Sequence, residues 1–108
     1  MSVQMAPLEL AELLDSESPS HLLDVRELEE HQFVALPNST LIPLGELAMR
    51  AEEIATWKDE DVVVYCHHGI RSLHAIGLLQ QLGFMRLRNL SGGIHGWARE
   101  VDESMPTY

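Results

Sequence analysis

The 108 residues are 45% hydrophobic and 22% charged, with a formal net charge of -10 at pH 7, which fits one globular domain with one core across residues 1–108. That charge excludes nucleic acid as a partner, since binding phosphates takes Lys and Arg, and no apolar run nears the ~18 residues of a membrane span or follows a basic start as in an export signal. A single cysteine excludes an internal disulfide and suits a reducing compartment, so the expected location is cytoplasmic.

Ala6-Pro7-Leu8 predicts the start of a short helix with Pro at its first position, whose stripe of Leu10, Leu13 and Leu14 ends near Asp15, Ser16 and Pro19. His21-Leu22-Leu23-Asp24-Val25 reads as a short buried strand, and Arg26-Glu27-Leu28-Glu29-Glu30-His31 as a polar surface helix, with His21 and His31 solvated. Asp24 falls near the carboxyl end of its strand, where functional groups of an open α/β sheet gather. There it either accepts loop N–H bonds or pairs with Arg71, or it only caps the following helix. Leu36-Pro37-Asn38-Ser39 predicts a turn and Thr40-Leu41-Ile42 a strand. Leu44 to Trp57 reads as one helix, with Leu44, Leu47, Ala51 and Ile54 on one face and a Glu46–Arg50 pair. Asp59-Glu60-Asp61 is a solvated turn.

The chemistry centres on Val62 to Ser72. The β-branched run Val62-Val63-Val64-Tyr65 stops at Cys66 and enters His67-His68-Gly69-Ile70-Arg71, after which Ser72 opens a helix from Leu73 to Leu82 with Ile76, Leu79 and Leu82 at helical spacing. Backbone N–H groups of a tight Gly-containing loop and the positive end of the next helix both favour an anion. A thiol of pKa about 8.5 can fall below ~7.5 in such a place and become a nucleophile. Residues 1–61 hold fourteen acidic and three basic side chains, whereas Val62 to Arg99 contains Arg71, Arg86, Arg88 and Arg99 and no acid. Such a segment would concentrate a small anion at Cys66.

Gly83 predicts a helix C-cap, Met85-Arg86-Leu87-Arg88-Asn89-Leu90 a strand with its arginines exposed, and Ser91-Gly92-Gly93 a tight loop before a last helix packing through Ile94, Trp97, Ala98 and Val101. Strands alternating with helices give an α/β fold, a parallel sheet of about five strands with helices on both faces.

Four pieces, Leu22-Leu23-Asp24-Val25-Arg26, Ile42-Pro43-Leu44, Cys66-His67-His68-Gly69-Ile70-Arg71-Ser72 and Leu90-Ser91-Gly92-Gly93-Ile94-His95-Gly96-Trp97, together resemble the single-domain rhodanese family in its order. The resemblance implies a rhodanese-like sheet and a sulfurtransferase without a cofactor. Cys66 would attack the outer sulfur of a small anionic donor such as thiosulfate or a polysulfide, hold it as a persulfide, and pass it to cyanide, a thiol or a sulfur-carrier protein. His67, His68, Gly69, Ile70, Arg71 and Ser72 would form the substrate-binding loop, its N–H groups cradling the outer sulfur, with Asp24 and Arg26 supporting it. Val34-Ala35-Leu36-Pro37-Asn38 departs from the Gly-His-Ile-Pro-Gly of many relatives. The ending from Trp97 to Tyr108 looks like rhodanese domains attached to enzymes that charge small sulfur carriers.

Three rivals compete. A cysteine phosphatase or arsenate reductase has five residues between Cys and Arg, whereas four separate Cys66 from Arg71, a cradle sized for one sulfur. A catalytically silent binding module of the same fold would usually lack the cysteine. A zinc set of Cys66, His67, His68 and His74 is disfavoured, because adjacent histidines in a tight loop do not easily reach one tetrahedral ion.

Overall fold

The computed structural model describes residues 3–16 and 20–108, so Pro19, assigned above to the end of the first helix, lies outside the described residues. Five strands, β1 (Gln4–Met5), β2 (His21–Asp24), β3 (Thr40–Leu41), β4 (Val62–Tyr65) and β5 (Leu87–Leu90), pair in parallel in the order β1-β5-β4-β2-β3. β4 occupies the middle because all four of its side chains are buried, as a parallel strand covered on both faces requires. Its pleat divides the protein. Val62, Val64 and Cys66 face a core with Leu47, Ile54, Ala75, Ile76 and Leu79, and Val63 and Tyr65 face another with Leu10, Ile94 and Trp97. Helices α1 (Pro7–Leu14) and α5 (Gly93–Glu100) cover this second face and α4 (Arg71–Gln81) the first.

Two readings need correction. Residues 44–57 are not one helix but a 3-10 turn (Leu44–Glu46), a single α-turn α3 (Leu47–Arg50) and a second 3-10 stretch (Ala51–Trp57) kinked at Ile54 (φ -118, ψ 22). The anchor spacing explains the break. Leu44 to Leu47 and Ala51 to Ile54 to Trp57 are three apart, the period of a 3-10 helix, and only Leu47 to Ala51 is four apart, across α3. The expected Glu46–Arg50 pair forms, joined by Glu53. The second concerns Arg26 and its neighbours: helix α2 runs over Leu28–Phe33, leaving Arg26 before it and buried.

β1 is the strand no sequence pattern marked. Two residues are too few for alternation to show, and tertiary contacts define it: the Asn89 N–H donates to Val3 O at 2.6 Å and the Ser91 N–H to Met5 O at 2.8 Å.

Candidate active site

Cys66 lies one residue beyond the carboxyl end of the central strand and is 1% exposed. The loop after it turns on Gly69 at φ 103, a left-handed conformation that glycine takes without a Cβ clash. α4 then begins at Arg71, two residues earlier than Leu73, so Arg71 and Ser72 form its first turn. The result is a cradle of donors aimed at sulfur. Sγ accepts the Gly69 N–H at 3.1 Å and the Ser72 N–H at 3.4 Å, and the Ser72 hydroxyl stands 3.4 Å away.

Burial pushes the Cys66 thiol up, but the Ser72 hydroxyl and the N–H groups of Ser72, Gly69 and His68 outweigh it, and the net shift is downward. The hydroxyl's share is divided, because its one proton also serves Asn89 Oδ1. The main-chain donors have no such competitor. Alkylation of Cys66 by iodoacetamide should accordingly show a midpoint below the ~8.5 of a free thiol, with the thiolate lost only as pH falls through that lower value. A midpoint at or above the free value would show that burial wins.

The cradle is held from behind by α5. Ile94 N–H donates to Cys66 O at 2.9 Å and His95 N–H to His67 O at 3.1 Å. In a trans peptide the carbonyl and the following N–H point opposite ways, so tying these carbonyls to α5 turns the His67 and His68 N–H groups towards the other side. Gly93, at φ 63, permits the contact, since a Cβ there would lie 2.3 Å from His67 O. Asn89, 1% exposed, completes the support: its Nδ2 donates to Gly69 O at 3.3 Å and to Gln4 Oε1 at 3.0 Å.

Asp24 and Arg71 do not meet. The Arg71 guanidinium makes a bidentate pair with Glu30, at 2.7 and 2.8 Å, and Arg71 thereby ties the start of α4 to α2. Glu30 also accepts the Tyr108 hydroxyl at 2.7 Å and the Glu27 N–H at 2.9 Å, and first of all the Arg71 bond holds its carboxyl down at about 2. Asp24 instead grips Arg26, taking Nε at 2.9 Å and Nη2 at 2.8 Å, with both side chains fully buried. Arg26 also donates to Val34 O at 2.6 Å and to Tyr108 Oη at 2.9 Å. Neither histidine read as solvated is free of contacts. His31 pairs with Asp24 at 2.8 Å, and His21 stacks on Trp57 and reaches Glu60 at 2.7 Å.

The acid-free stretch of sequence is not acid-free in space. Glu30 meets Arg71 and Asp61 meets Arg86, so two of its four arginines are already paired. Ile70 is 65% exposed. A cavity of about 550 Å³ lined by Leu14, His21, Pro37 and Trp57 sits at the amino ends of β2 and β3, the opposite end of the strands from Cys66.

A model of the rhodanese-like domain matches residues 6–100. The chain belongs to the rhodanese-like family. Its relatives include a sulfurtransferase of Allochromatium vinosum, 39% identical over 95 residues, covering 80% of this chain and 87% of that protein. An adenylyltransferase and sulfurtransferase of Arabidopsis thaliana, MOCS3, is 32% identical across 93% of this chain, which spans only 25% of that protein. The chain likewise spans between 22% and 47% of the length of several other relatives. A rhodanese-related protein of Thermoplasma volcanium superposes with a TM-score of 0.79 at 33% identity, covering 91% of this chain and 92% of that one. At the level of the family, the chemistry is sulfur transfer.

Within this rhodanese-like site, sequence reasoning missed Glu30, Asn89, His95 and Tyr108. Tyr108 stacks on His67 with centroids 3.8 Å apart and planes at 7°, and sets its edge against Phe33. Burial, followed by the neighbouring His68, lowers the pKa of His67. The rings of His67 and His68 lie 3.8 Å apart. His95 joins them rather than the exposed His74. No helix among the described residues is long and apolar enough to cross a membrane.

Proposed function

We propose that this rhodanese-like domain moves sulfane sulfur through a Cys66 persulfide, and the convergence of the Gly69 and Ser72 N–H groups on Sγ is the observation that carries the reading. The Cys66 thiolate attacks the outer sulfur of a donor such as thiosulfate or a polysulfide. The donor's S–S bond breaks, its electron pair leaves with sulfite or the shortened polysulfide, and Cys66 retains the sulfur as Cys–S–S⁻. An acceptor nucleophile, cyanide in an assay or a thiol in the cell, then attacks the outer atom and returns the thiolate. Preorganised donors around the anion lower both barriers without reorganising at the moment of reaction.

Arg71 braces the loop in this reading rather than binding the donor, because its guanidinium is committed to Glu30. A phosphatase is less well supported for the same reason, since an oxyanion would find that guanidinium already neutralised. A protein acceptor, such as a sulfur carrier, is consistent with relatives in which a domain of this kind is part of an adenylyltransferase and sulfurtransferase. No cofactor enters the scheme.

The test is intact mass. After thiosulfate or polysulfide, the protein should gain one sulfur that cyanide removes and that Cys66→Ser never acquires. A wild-type protein that takes up no sulfur from either donor would leave the fold serving as a binding module.

A further inference from the structure

We propose that His67, His68 and His95 form a binding site for a divalent transition-metal cation of the Zn²⁺ class. One nitrogen from each ring lies within 4.8 Å of the other two. The ring centroids of His67 and His68 are 3.8 Å apart, those of His68 and His95 5.0 Å, and those of His67 and His95 6.0 Å. Tetrahedral coordination at about 2.1 Å sets nitrogens about 3.4 Å apart, so the three must draw in by roughly an ångström. Rotation of the exposed His68, with a smaller shift of the half-buried His95, supplies this while His67 stays stacked on Tyr108.

A second observation separates this cluster from histidines that merely share a surface. His67 Nε2 and His95 Nδ1 are buried and without a hydrogen-bond partner among the described residues. Nearly all buried polar atoms are satisfied, and a neutral imidazole nitrogen with an open lone pair is what such a cation takes. The ligands also come from two elements already fixed to each other, because the His95 N–H donates to His67 O at 3.1 Å. A fourth position can open on the adjoining cavity of about 370 Å³, lined by His68, Gly92, His95, Gly96, Arg99 and Glu100. Water or the Glu100 carboxylate would complete the shell there, with the Arg99 charge opposing.

Imidazole donors select Zn²⁺, Ni²⁺ or Co²⁺ over Mg²⁺. Cys66 is not a ligand, as its sulfur is turned into the cradle and held by Gly69 and Ser72. A bound cation would cross-link the cysteine loop to α5.

Calorimetric titration of the Cys66→Ser protein with ZnCl₂ tests this with the thiol removed. One equivalent should bind and Tm should rise by several degrees at a hundredfold excess over Kd, with neither effect from MgCl₂. His95→Gln and His68→Gln should each weaken binding by about tenfold or more, while His74→Gln should leave it unchanged. Wild type loaded with Co²⁺ gives an independent readout: visible d–d bands without a thiolate-to-metal charge-transfer band. The proposal is overturned if millimolar ZnCl₂ gives neither heat nor a Tm shift, if both histidine variants keep wild-type affinity, or if the thiolate band appears.

Discussion

Gly93→Ala should lose about a hundredfold in sulfur transfer, because a displacement near 1 Å in positioned groups costs that much. The added Cβ would stand 2.3 Å from His67 O and 2.6 Å from Cys66 O, and both are main-chain atoms that cannot rotate aside. The loop and α5 must therefore separate, loosening the two hydrogen bonds that aim the loop. Overpacking of this kind, added to an L-residue at φ 63, should also remove roughly 2–4 kcal/mol of stability. Gly92→Ala is the control. It meets Gly96 Cα at 3.5 Å, an ordinary contact, at φ 77, so it should lose some stability and much less activity. Transfer rates from thiosulfate to cyanide, with urea midpoints for both variants, decide the matter. A Gly93→Ala protein as active as wild type would show that the α5 contact does not set the cradle.

Arg26→Met should destabilise the protein by about 3–5 kcal/mol, the usual cost of removing one member of a buried ion pair. Asp24 and Arg26 are both fully buried, and only the part-buried His31, 2.8 Å from Asp24, remains beside the carboxylate. The same change orphans Val34 O and strips a donor from the Tyr108 hydroxyl. In a domain of this size the loss corresponds to a fall in Tm of more than ~10 °C. Adding Asp24→Asn should recover part of it, since the uncompensated carboxylate is then gone. Thermal unfolding of the two single variants and the double variant measures the coupling. Additive losses would mean that the pair is not coupled.

What could be read from the sequence was local. A β-branched run, one cysteine, a glycine and a helical period fall between Val62 and Leu82, and they place Cys66 between strand and helix without knowledge of anything else. The unbroken apolar run of β4 likewise announces a strand covered on both faces. What could not be read was any partnership set by how the elements come together. Arg71 meets Glu30 from 41 positions away and Tyr108 meets Glu30 from 78. In sequence Glu30 is only one acid in a polar helix, and its role is created by α2 packing beside the cysteine loop. Asn89 was readable as a strand residue, but not as the group that joins Ser72, Gly69 and Gln4. The break in residues 44–57 was present as spacings of three and four that one averaged helical period concealed.

The 1% exposure of Cys66 bears on which molecules can react at all. A thiolate sunk below its own loop meets only what can be lowered to it, and a chain-terminal sulfur atom carries no substituent on its leading side. The middle of an ordinary disulfide carries carbon on both sulfurs, and each would strike the rim before either sulfur reached bonding distance. The depth of the sulfur thus acts as a steric filter, admitting donors by the shape of their last atom. Small dialkyl disulfides are accordingly expected to exchange with Cys66 far more slowly than with an exposed thiol.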